Sequence, residues 1–210
     1  YTVNELYDEE SPVTCGYPYG ISKLQGERGV LQLGDDTFST IAIRQGTVCG
    51  YSPRMRFDLI VNTMYKSAIL DGVITVNNPS IWRPILDVRD TSAAFLRAVQ
   101  ADYGISGSFN VACGNFTVGQ IADLVKDEVE ARTGKKVRVH IKDVKDFRNY
   151  KVTFERAKLM LGFFPKYGVA EMVDSLHAHA AEYGDFSQES FYNIATLKRL
   201  DREAGTEVAI

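Results

Sequence analysis

The chain has 210 residues, 45% hydrophobic and 24% charged, an ordinary globular balance that supplies one large domain or two small ones. The formal net charge is −3 and Lys and Arg are scattered, so there is no basic excess to meet the phosphates of a nucleic acid. No apolar run approaches the roughly 18 residues of a membrane span, and the stretch from Tyr1 to Ser11 is polar and acidic rather than signal-like.

The elements follow from pattern. A helix is expected over the stretch that carries Tyr19 and Lys23. The β-branched run Ser39 to Val48 predicts a buried strand, and Gly50-Tyr51-Ser52-Pro53 breaks the chain after it. Asp58 to Asp71 mixes apolar and polar positions as a helix does. Ile74 to Val76 is a short strand ended by the turn Asn77-Asn78-Pro79, and Trp82 to Val88 is another. Asp90 is the expected cap of a helix running to about Ala101. Ser108 to Ala112 predicts a strand ending at Gly114. Thr117 is the expected N-cap of a helix that Gly134 stops after Thr133. A strand over Val137 to Ile141, a helix over Phe154 to Leu161 ended by Gly162, and a last long helix over Ala170 to Tyr183 complete the set. The tail from Asp185 is polar, with Tyr192, Leu197 and Leu200 as anchors.

Cysteine usage points to a reducing cytoplasm. Cys15, Cys49 and Cys113 are odd in number and widely spaced, with no Cys-x-x-Cys, so free thiols and no zinc site are expected. His177 and His179 point in different directions on a helix and are expected on a solvated face, so no metal is expected there either.

The chemistry concentrates at Tyr19-Gly20-Ile21-Ser22-Lys23. A tyrosine and a lysine four residues apart share one helix face. A free phenol, with a pKa of about 10, is a poor base at neutral pH. A neighbouring ammonium favours the phenolate, which can then exchange a proton with a sugar hydroxyl. Bare Tyr-x-x-x-Lys is common in helices, but here Pro18 precedes it, Gly20 follows the tyrosine and Glu27 lies four residues past Lys23. This block resembles the active-site helix of the extended short-chain dehydrogenase/reductases, the nucleotide-sugar epimerases and dehydratases.

The resemblance covers most of the chain. It implies an α/β fold: part of a doubly wound Rossmann-type sheet with a small mixed α/β substrate-binding domain. Residues 1–50 would be the second half of the Rossmann-type domain and 51–210 the substrate-binding region, with about 74–112 returning to the first. Tyr19 and Lys23 would be the catalytic pair and would also hold the nicotinamide ribose. Arg44-Gln45-Gly46-Thr47-Val48-Cys49-Gly50 is similar to the family's Arg-Tyr-Phe-Asn-Val-Tyr-Gly, which would set Gly46 near the cofactor and Thr47, in place of asparagine, near the sugar. A plain strand-end turn is the other reading of Gly46-Thr47.

Asn62 matches an asparagine that binds the substrate diphosphate. Arg83, in Trp82-Arg83-Pro84-Ile85-Leu86-Asp87, matches an arginine that grips phosphate, with Pro84 replacing an acid and Asp87 a histidine. A planar guanidinium meets phosphate oxygens in pairs, which suits Arg to that work. Arg148, ahead of Leu161-Gly162-Phe163, matches a second such arginine. Two surface arginines are the alternative. Arg54 and Arg56 are basic loop residues that fit phosphate or solvent equally.

No Gly-x-Gly-x-x-Gly turn is present to bring a helix N-terminus onto a pyrophosphate. The expectation is a C-terminal portion of such an enzyme, with the catalytic Ser or Thr just before Tyr1; a domain without cofactor binding is the alternative. The implied activity is hydride transfer at sugar C4 through a 4-keto intermediate, with NAD as cofactor and NADP open. A non-catalytic binding protein on this fold and an NADPH-dependent keto-sugar reductase are the alternatives. The implied partners are a nucleotide sugar and a second copy in a homodimer.

Overall fold

A computed structural model describes residues 6–142 and 149–204. The chain passes back and forth between two compact units. The first is drawn from the described parts of Tyr1–Val48, Ile81–Phe116 and Asp146–Gly168, the second from Cys49–Ser80, Thr117–Lys145 and Val169–Ile210. Both mix helices with short parallel pairings, as the α/β expectation requires.

In the first unit, strand β1 (Leu6–Tyr7) leads to helix α1 (Pro18–Leu31), then to strands β2 (Ile41–Gln45) and β3 (Thr47–Cys49). Strand β5 (Trp82–Asp87), helix α3 (Val88–Val99) and strands β6 (Gly107–Val111) and β7 (Gly114–Thr117) follow, and β9 (Lys151–Val152) and helix α5 (Glu155–Leu161) complete it. β2 pairs in parallel with β6, Ile41 opposite Gly107 through Gln45 opposite Val111. β1 pairs in parallel with β9, and β3, β5 and β7 form a three-stranded sheet. Leu86, Phe109, Val111, Ala157 and Phe163 are the centre of its core. Burying the larger of these, the leucine, valine and phenylalanines, contributes roughly 1.5–3 kcal/mol each.

In the second unit, helices α2 (Ile60–Asp71), α4 (Val118–Thr133) and α6 (Val169–Ala178) pack on one another, and strand β4 (Val73–Asn77) pairs in parallel with β8 (Arg138–Lys142). Tyr65, Ile74, Val76, Ile121, Met172 and Leu176 are fully buried. Helix α7 (Asn193–Glu203) closes the described chain.

Several expectations need correction. The run Ser39 to Val48 is two strands broken at Gly46, and β2 is half-buried rather than buried, since β6 is its only strand partner among the described residues. Asp90 does not cap α3. Asp87 does, its carboxylate accepting from Arg89 N at 2.7 Å. Asp90 lies one turn in, buried, and accepts the backbone N–H groups of Lys166 and Tyr167, each at 2.9 Å. Gly114 opens a strand instead of closing one.

The helix from Ala170 stops at Ala178 and is not the last. Its two histidines are half-buried rather than solvated: the His179 ring stacks on Tyr51 with centroids 3.6 Å apart, and His177 Nδ1 lies 3.3 Å from the Tyr65 hydroxyl. In the tail, Tyr192 is anchored, donating to Phe186 O at 2.8 Å, while Leu197 and Leu200 are exposed. Thr117 caps α4 as expected, with Gln120 returning the bond to close a capping box, and α4 and α5 end at Gly134 and Gly162.

Candidate active site

Helix α1 opens at Pro18, where a missing N–H costs nothing because that position has no helical acceptor. Its inward face is Gly20, Leu24, Glu27 and Leu31, all half-buried. A Cβ at Gly20 would meet the Cys15 side chain across the first turn, and that side chain would have to turn away. Tyr19 and Lys23 each lie one residue before an inward position and stand on an exposed flank. Tyr19 is 64% exposed, and Lys23 Nζ lies 5.7 Å from its ring centroid, over the face of the ring. The spacing in sequence thus brings phenol and ammonium together.

The pair opens on a groove of about 710 Å³ between α1 and β2, walled by Tyr19, Lys23 and Glu27 on the helix side and Ile41 to Gln45 on the strand side. Arg44 and Gln45 also line a second, smaller cavity of about 170 Å³. Its other walls are Tyr7, Ser11 and Val13, then Gly46, Pro84 and Tyr150. Gly46 is small for a reason: a Cβ would come within 3.0 Å of the Pro84 backbone carbon and oxygen. Thr47 follows at the start of β3, half-buried. Arg83 stands on β5, with Nη1 donating to the Trp82 carbonyl at 2.9 Å.

Asn62 belongs to the second unit. It is buried, its amide nitrogen donating to Gly50 O at 3.1 Å and Arg56 O at 2.8 Å while its oxygen accepts from Gly50 N at 2.9 Å. Its polar atoms hold the loop from Gly50. In that loop Arg56 pairs with Asp58 and Arg54 donates to Asn193. Arg148 lies outside the described residues.

Three residues at the site carried no role in the sequence reading. Arg44 stands inside a quoted motif, Glu9 inside the polar, acidic stretch from Tyr1 to Ser11, and Tyr150 two residues after Arg148. Arg44 is the centre of the electrostatics. Its Nε and Nη2 grip both oxygens of Glu27, at 2.8 and 2.6 Å. That bidentate contact holds the Glu27 carboxyl below its ordinary value and raises Arg44 above its own.

A nicotinamide cofactor and a sugar diol fit this donor set: an open groove carrying a phenol and an ammonium one helical turn apart. Among the described residues no group of three or more metal-ligating side chains occurs, and no helix is long and apolar enough to cross a membrane.

Residues 2–112 match the family model described as NAD dependent epimerase/dehydratase family. The fold is similar to that of UDP-glucuronic acid 4-epimerase from Bacillus cereus in complex with NAD, with TM-score 0.70, 17% identity, 86% of this chain and 57% of that one covered. It is similar to dTDP-glucose 4,6-dehydratase from Bacillus anthracis in complex with NAD, with TM-score 0.68, 16% identity and 86% and 58% covered. RMD from Pseudomonas aeruginosa, solved with NADPH, matches with TM-score 0.65, 18% identity and 83% and 59% covered. The chain therefore spans somewhat under two thirds of the length of these structures, and at such identities the likeness speaks for the fold. With the family match over more than half of its residues, the chain belongs to the NAD dependent epimerase/dehydratase family.

Proposed function

We propose that this chain is the catalytic-helix and substrate side of a nucleotide-sugar epimerase or dehydratase that acts at sugar C4 through a 4-keto intermediate. The observation that carries the reading is the Tyr19–Lys23 pair, one helical turn apart and open on the groove beside β2. Tyr19 takes the proton of the sugar hydroxyl as its carbon is oxidised. Lys23, whose ammonium lies over the Tyr19 ring, donates to a ribose diol. A bound nicotinamide supplies the hydride acceptor, NAD by the B. cereus and B. anthracis structures and NADP by the P. aeruginosa one. Gly46 and Thr47, at the end of β2 and start of β3, face the nicotinamide and the sugar. Arg83 and Arg148 hold the diphosphate, and Asn62 contributes by fixing the loop that follows β3. The first unit then carries cofactor and catalysis and the second shapes the substrate side. A cytoplasmic homodimer making activated sugars for carbohydrate biosynthesis is the setting this reading implies.

The test is kinetic, on the full-length protein. Tyr19→Phe is expected to leave NAD affinity within about twofold and to lower kcat by roughly 100-fold or more, because the proton acceptor is gone. Arg83→Ala is expected to act chiefly on KM, as loss of uniform binding does. Wild-type turnover in Tyr19→Phe removes the tyrosine from its role, and an unchanged KM in Arg83→Ala removes the phosphate assignment.

A further inference from the structure

We propose that Glu27, Arg44 and Glu9 form a positioning latch that fixes the roll of helix α1, and with it Tyr19 and Lys23, to the Asp8–Ser11 turn beside the small cavity. The inference rests on Tyr19 being the group that matters in the groove, but the latch itself is read from geometry.

Helix α1 has no buried residue among its 14. Its inward face offers only Leu24 and Leu31 as apolar contacts, while Tyr19, Ile21 and Val30 are exposed. Glu27, eight residues after Tyr19, adds a directional contact: its two oxygens meet the planar fork of Arg44. A bidentate pair sets direction as well as distance. Arg44 is on β2, and its remaining Nη1 donates to the backbone carbonyl of Glu9 at 2.9 Å.

Glu9 completes the latch. It is 8% exposed, and its carboxylate accepts the backbone N–H of Asn110 at 2.8 Å. Asn110 is the cross-strand partner of Arg44 in the β2–β6 pair. Glu9 thus holds both members of one rung, Arg44 through its carbonyl and Asn110 through its side chain. The segment that carries it is itself stiff. Ser11 Oγ donates to Asp8 Oδ1 at 2.6 Å, Glu10 N to the same oxygen at 3.2 Å, and Glu10 takes Arg156 at 2.6 Å.

Arg44 is also a wall shared by the groove and the cavity. One side chain therefore connects the catalytic helix, the strand beneath it and the turn beyond. A misplacement of about 1 Å at a reacting group can cost roughly 100-fold in rate, which is what such a latch prevents.

The test needs no turnover, so its result stands apart from the proposed activity. The protein is labelled with 3-fluorotyrosine, and the Tyr19 resonance is assigned as the one lost in Tyr19→Phe. Glu27→Gln is expected to shift or broaden that resonance. It is also expected to speed hydrogen exchange over Asp8–Ser11 and at Asn110 about tenfold, the loss of one charge-assisted hydrogen bond. The swap Glu27→Arg with Arg44→Glu is expected to restore the Tyr19 resonance but not slow exchange over Asp8–Ser11, since a carboxylate cannot donate to the Glu9 carbonyl. Should Glu27→Gln fold poorly, Glu27→Asp, which keeps the charge and withdraws the carboxylate, is expected to give the same changes at smaller size. An unmoved Tyr19 resonance, or faster exchange confined to Pro18–Leu31, overturns the latch. Wild-type kcat in Tyr19→Phe overturns the proposed activity and leaves the latch to be judged on these signals.

Discussion

Gly46 sits where β2 ends, and a methyl group added there meets the Pro84 carbonyl carbon and oxygen at 3.0 Å. Backbone atoms of a paired strand cannot swing aside as a side-chain tip does. Gly46→Ala is therefore expected to destabilise by about 1–3 kcal/mol, seen as a lower urea midpoint. The Glu27–Arg44 pair gives a second expectation, in pH. The bidentate Arg44 contact lowers the Glu27 pKa in the folded state from its ordinary 4.5. The unfolded state then binds a proton first as pH falls, so the stabilisation is present above about 4.5 and is lost as pH falls through the folded value. In Glu27→Gln that part of the acid dependence is expected to vanish, which urea melts between pH 6 and pH 3 measure. At this scale the sequence was legible where a residue's work is local. Tyr19 and Lys23 announce themselves by helical spacing. Glu9 and Arg44 did not, because their meeting depends on strand register and on a residue 101 positions away.

Helix α4 shows how far an element can be read from its ends. Thr117 and Gln120 cap each other across the first turn, and Gly134 takes the left-handed conformation after the last, φ 68°. Thr117→Ala is expected to cost about 1 kcal/mol, checked by the urea midpoint, with the slope unchanged. Helix α3 was misread by three residues for a physical reason. Asp87 and Asp90 are both plausible caps by type, but Asp87 binds the first-turn N–H of Arg89 and Asp90 is turned to the distant amides of Lys166 and Tyr167. Only the chain 76 residues on decides between them. β-branched residues run on through Ser39 to Val48 and suggest one strand, whereas the chain changes partner at Gly46, β2 pairing with β6 and β3 lying beside β5. Helix α7 escaped notice because its composition is strongly polar: Ile194, Leu197 and Leu200 keep helical spacing, but none of its residues is buried.

The described residues are α/β and fall into two compact units. The resemblance carried by residues 18–27 and 44–50 found the family, and the family match over residues 2–112 and the solved structures agree on the fold. What pattern alone withheld was pairing: which short strands lie together cannot be read from runs that are each two to six residues long.

That pairing has a kinetic consequence. β2 meets β6 with Ile41 opposite Gly107, and β4 meets β8 with Val73 opposite Arg138, separations of 107 − 41 = 66 and 138 − 73 = 65 residues. Neither can zip from a tight turn, since parallel neighbours need a crossover between them. Loops of some 60 residues must close before either ladder yields a single bond, and chains dominated by such distant contacts fold on the millisecond-to-second scale. Refolding from urea is expected to be correspondingly slow by stopped flow. Helices such as α4, with contacts a turn apart, have time to form and fray many times before β2 first finds β6.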